Sequence, residues 1–131
     1  IAMSQEEIIS KIQDALKKVC NDFSIEKDKV RVKLSLKKDF LGNSLSVAVM
    51  NELQIVKDIK LGDLLVLNPM ELMLVGGFLK NTLSKKALEI GATDQTIDAR
   101  ICTRTNDFYP SVYLFNQGKY AKEITVSDLV S

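Results

Sequence analysis

The chain has 131 residues, 46% apolar and 27% charged, with only 6 Gly and 2 Pro, the composition of one ordinary folded domain and not of a disordered, collagenous or low-complexity chain. A chain of this length buries roughly two-thirds of its unfolded surface, so one core suffices without a metal or disulfide staple. The 18 Lys plus Arg nearly balance the 17 Asp plus Glu, so no long-range field steers the molecule towards nucleic acid or a membrane, and any basic site has to be local. Histidine is absent, and with it go the commonest general base, the triad imidazole and the commonest zinc ligand.

Met3 and Ser4 read as a native start, which makes Ile1 and Ala2 a cloning scar and residues 3–131 a single domain. No charged segment followed by an apolar run opens the chain, so a cytoplasmic location is expected. The longest apolar run, Leu72 to Leu79, is too short to cross a bilayer. Cys20 and Cys102 fit neither a redox nor a zinc spacing and read as reduced core residues.

Ser4 as N-cap with Glu7 three residues on forms a capping box. Ile8, Ile9, Ile12, Ala15, Leu16, Val19 and Phe23 then recur at steps of three and four, which predicts an amphipathic helix from Gln5 to about Asn21. Val30 to Leu36 alternates with period two, Gly42-Asn43 supplies a turn, Leu45, Val47 and Val49 alternate again, and Leu53 to Ile59 forms a third strand of an antiparallel meander.

Asn68, Pro69 and Glu71 announce a second helix, which should stop at Gly91. Its first half, Leu72 to Leu79, is apolar all round, which predicts burial on most sides of a central helix. Gly76 and Gly77 inside it read as close backbone packing. Ile97 to Cys102 and Val112 to Phe115 form a hairpin around Asn106 to Pro110. Asn116 to Lys119 turns into a last strand over Tyr120 to Val126, and Ser127-Asp128 begins a short C-terminal helix.

The expected fold is therefore α+β: N-terminal helix, antiparallel strands, central buried helix, second antiparallel strand set, short C-terminal helix. The layout resembles that of small binding and chaperone-like α+β domains, a likeness of element order alone. The halves also end alike. Lys57, Ile59, Asp63 and Leu64 recur as Lys122, Ile124, Asp128 and Leu129, an offset of 65 that defines half-repeats 4–65 and 68–131. A pocket between two such units is a natural place for a site.

Two surfaces stand out. Tyr113 and Phe115 share the strand face opposite Val112 and Leu114, and with Tyr109 they form a candidate partner surface, because bare aromatic patches mark protein contacts. Arg31, Lys33, Arg100 and Arg104 lie on polar strand faces and form a candidate anion surface for phosphate or nucleic acid, against the plainer reading of charged strands as protection from edge-to-edge aggregation. The carboxylates sit at caps and turns without an acid pair or metal-ligand spacing, and the GxSxG nucleophile pattern is absent. The expectation is a non-catalytic protein-interaction or assembly module acting through an exposed sheet face or edge and self-associating, with no cofactor and no metal. A small-molecule or nucleic-acid binder using the basic strand face is the alternative.

Overall fold

The computed structural model describes residues 3–104 and 106–131; Ile1 and Ala2, read as a cloning scar, lie outside the described residues. Helix α1 (Gln5–Phe23) begins where the Ser4 hydroxyl accepts the Glu7 amide and buries the predicted stripe Ile8, Ile12, Ala15, Leu16 and Val19. Three antiparallel strands follow, β1 (Val30–Asp39), β2 (Gly42–Asn51) and β3 (Gln54–Ile59), then a one-turn helix α2 (Leu61–Leu65). Helix α3 (Pro69–Glu89) leads to β4 (Ile97–Thr103), β5 (Pro110–Asn116), β6 (Lys119–Ile124) and the short α4 (Val126–Val130).

All six strands form one antiparallel sheet in the order β3-β2-β1-β4-β5-β6. Outward from the β1–β4 seam the order is the same on both sides. Leu34 pairs with Ala99 at that seam, a pair 65 residues apart. The irregularity in the β2–β3 register falls between Val49 and Met50, and that in β5–β6 between Leu114 and Phe115, again 65 residues on.

One sheet face is apolar and packs under the helices: Val32, Leu34, Leu36, Val47, Val49, Ile97, Ala99, Ile101, Val112 and Leu114 join α1, α2, α3 and α4 in one core. Helix α1 reaches across the seam to β5 and α4, and α3 reaches across it to β2 and α2. Among the described residues no helix covers the opposite, outer face.

Several expectations shift in detail. The first hairpin turns at Phe40-Leu41 and not at Gly42-Asn43, because Asp39 Oδ1 accepts the Leu41 amide at 2.9 Å and Asp39 pairs with Gly42. The C-terminal helix is capped by Thr125 and not by Ser127: Thr125 and Asp128 exchange both bonds of a capping box, and Ser127 lies inside the helix. Helix α2, unforeseen as an element, occupies the place in the first half that α4 has in the second.

The largest difference concerns α3. Its Asn68–Glu71 capping box and Pro69 stand as predicted, and Val75, Leu79 and Leu83 form the buried stripe. Its apolar first half, however, is buried on one side only, with Met70, Met73, Leu74 and Phe78 exposed. A helix lying on one sheet face has a single side to bury, and among the described residues no second layer covers α3. Nor do the glycines serve close packing: a Cβ at Gly77 would meet nothing within 4 Å, and one at Gly76 only Leu61 Cδ2 at 4.0 Å.

Candidate functional site

Strand register decides where the predicted site residues go. Lys33 lies between Ala48 and Arg100, Arg100 opposite Tyr113, and Tyr113 opposite Glu123. Asp98, Phe115 and Tyr120 form the next row. The two candidate surfaces, one aromatic and one basic, are thus interleaved on the outer sheet face.

Interleaving pairs their charges. Arg100 Nε donates to Asp98 Oδ2 at 3.0 Å in a largely buried ion pair, and its guanidinium lies 3.9 Å from the Phe115 ring centre, a stacking contact that suits a planar cation. Arg104 donates to the Tyr113 hydroxyl at 2.8 Å and to the Glu123 carboxylate; the Tyr113 bond first and the Glu123 bond second push its pKa further up. Tyr120 closes the group, 6.0 Å from Tyr113 and 6.1 Å from Phe115 between ring centres, within the range of favourable aromatic pairs. Arg31 turns its guanidinium onto the Asp28 and Val30 carbonyls, both at 2.9 Å.

A phosphate approaching this face would compete with Asp98 for Arg100 and with Glu123 for Arg104. Tyr113 and Phe115 are only partly exposed, being flanked by Tyr120 and two guanidinium groups. Tyr109 stands apart, 46% exposed beside Pro110 in a groove at the end of β5.

Three features escaped the reading of the sequence. The first is the outer side of α3, where Met70 and Met73 are 66% and 79% exposed and Leu74 and Phe78 flank them. Between Pro69 and Leu79 its only charge is Glu71, which caps the helix. The second is the tip of the first hairpin, Phe40 and Leu41, almost wholly exposed. The third is a pair of grooves, one between β2, β3 and α3 and one beside β5 and β6. A helical-wheel reading of α3 shows too many apolar positions for one buried stripe, which is the signal for the first; the grooves depend on where neighbouring strands end, and no local pattern encodes that.

The enclosed space in the core is about 20 Å³ and lined only by apolar side chains, room for little more than one water and without polar partners for it. Among the described residues no group of three or more metal-ligating side chains converges, and no helix is long and apolar enough to cross a membrane. Burial raises the pKa of both thiols, Cys102 within the sheet and Cys20 at the end of α1, the opposite of what a nucleophilic cysteine needs. Comparison of the chain with protein-family models, with curated proteins and with solved structures finds no match.

Proposed function

We propose that the chain is a non-catalytic protein-interaction module that self-associates, two copies meeting through the outer side of α3. The observation that carries this reading is the exposed row Met70, Met73, Leu74 and Phe78, a contiguous apolar surface of the kind that marks interfaces. Its chemistry favours a second copy. The row is uncharged, so it carries no electrostatic code for a foreign surface, and two such rows meet without like-charge repulsion. Gly77 in its middle leaves space for a facing helix to come close. The β5 surface is the weaker candidate, because Tyr113 and Phe115 already spend much of their area on Tyr120, Arg100 and Arg104.

We further infer that the halves are two copies of one helix, three-strand, short-helix unit. Support comes from the mirrored strand order, the Leu34–Ala99 seam pair and the matching register irregularities, added to the recurring residues at the end of each half.

Sedimentation velocity tests the association. Wild type is expected to form a reversible dimer at roughly tens of micromolar, the range of weak interfaces, and Met73→Glu with Phe78→Glu to remain monomeric. Tyr113→Ala with Phe115→Ala should leave the dimer in place. A wild type that stays monomeric, or a dimer indifferent to the α3 pair, overturns the reading.

A further inference from the structure

We propose that the groove bounded by β2, β3, α2 and the first half of α3 binds an extended segment of a partner protein in which acidic residues alternate with apolar ones. Strand β3 ends at Ile59, opposite Val47, whereas β2 begins five residues before Val47, at Gly42. The stretch 42–46 of β2 therefore has a strand beside it on the β1 side alone. The chain turns away into α2, and the space left between the bare edge of β2 and α3 is a groove of about 760 Å³. Leu45, Ile59 and Leu72 supply its apolar lining; Lys37, Lys60 and Lys80 ring it, with Asp58 the one carboxylate. Among the described residues none of these three ammonium groups is held in an ion pair.

The second half contains the matching groove, smaller at about 460 Å³, and pairs the groups that line it with one another. Pro110 stands where Leu45 does and has no amide to offer a neighbouring strand. Glu123 stands where Asp58 does and is paired with Arg104. Thr125 stands where Lys60 does and is committed to its capping box with Asp128. One architecture is thus satisfied internally on one side of the sheet and left with free backbone, apolar lining and unpaired cations on the other.

That combination selects its occupant. Strand addition draws affinity from backbone hydrogen bonds and specificity from alternate side chains. Lysines around an open edge repel basic strands, the same lysine-ringed edge of a second copy among them, and favour an acidic one.

The inference rests on the protein-interaction reading but not on self-association through α3. A chain that stays monomeric yet binds the segment refutes the latter alone. The test is fluorescence anisotropy of the full chain with a labelled peptide alternating Glu and Val. Binding is expected in the range of roughly micromolar to hundreds of micromolar, weakening as salt rises. Lys60→Glu with Lys80→Glu should weaken it about tenfold or more by replacing attraction with repulsion, while the melting temperature reports whether the variant stays folded. The same peptide with Lys for Glu should not bind. Of two peptides N-methylated on alternate residues, the one whose blocked amides face β2 should lose binding. The proposal is overturned if wild type does not bind at millimolar peptide, if the folded variant binds as well as wild type, if the Lys peptide binds equally, if both N-methylated peptides bind normally, or if inorganic phosphate displaces the probe as effectively as unlabelled peptide. Self-association abolished by the lysine pair in the absence of peptide also overturns it, assigning the groove to a second copy.

Discussion

Leu79→Ala tests whether α3 is a helix with one working side. Leu79 is 4% exposed and belongs to the main core cluster, so truncation removes most of a buried side chain and leaves a cavity in a layer that already surrounds a small void lined by the same residue. Such substitutions cost about 2–5 kcal/mol. With an unfolding entropy of about 2.1 cal/mol/K per residue near 60 °C, a chain of 131 residues loses about 4 °C in melting temperature for each kcal/mol, so a drop of about 7–18 °C is expected. Leu88→Ala is the control. It sits on the same helix but is 82% exposed, and exposed truncations stay within about 0.5 kcal/mol, about 2 °C by the same conversion. Thermal melts followed by circular dichroism, at concentrations low enough to keep the chain monomeric, read both. Equal shifts for the two variants, or a Leu79→Ala melt indistinguishable from wild type, would refute the division of α3 into a core side and an outer side.

Gly77→Ala should stabilise the monomer by about 0.5–1 kcal/mol, because the added methyl meets nothing within 4 Å and a mid-helix glycine is less favourable than alanine by that amount; a lower melting temperature would reveal an unseen constraint on the backbone. Cys102, buried and with its thiol pKa raised by that burial against the pull of Arg31 and Arg104, should resist a thiol-specific reagent at pH 8 until urea unfolds the chain. Cys20, half-buried and also shifted upward by desolvation, should react at an intermediate rate, and native labelling of Cys102 at the unfolded rate contradicts the assignment. Hydrogen bonds from Thr125 hold the Asp128 carboxyl below its ordinary pKa. Its contribution is therefore present above the ordinary carboxylate range and is lost as pH falls through the lowered folded value. The difference in urea midpoint between wild type and Asp128→Asn should accordingly shrink from pH 5 to pH 3, and a difference that grows over that interval contradicts the sign.

The elements were legible in the sequence because their signals are local. Caps at Ser4 and Asn68, the alternation of Val30 to Leu36 and the apolar period of α1 each involve a few neighbouring residues, and each is present in the fold. What was not legible depends on partners far along the chain. The outer side of α3 looks like core in sequence because an apolar helix does not state how many layers will cover it. The pairing of Arg100 with Asp98 and of Arg104 with Glu123 follows from the register of β4, β5 and β6, so two surfaces that seemed separate proved to be one. The short α2 carries no side-chain cap, which is why Leu61 to Leu65 gave no signal of a separate helix. The open stretch of β2 exists only because β3 stops early, a fact about a neighbouring strand.

The crossing of α1 and α3 over the β1–β4 seam has a consequence for how the chain acquires its structure. Each half lays its long helix partly on the other half's strands, so neither sheet half is fully roofed until both have been synthesised and joined. Unfolding should accordingly pass through one transition with no half-folded plateau, and the nucleus has to contain seam contacts such as Leu34 with Ala99, which close a loop of 65 residues before most of the stabilisation arrives. A chain cut at the 66–68 connection would yield two fragments that are each incomplete yet complementary, and whose refolding rate depends on the concentration of the other.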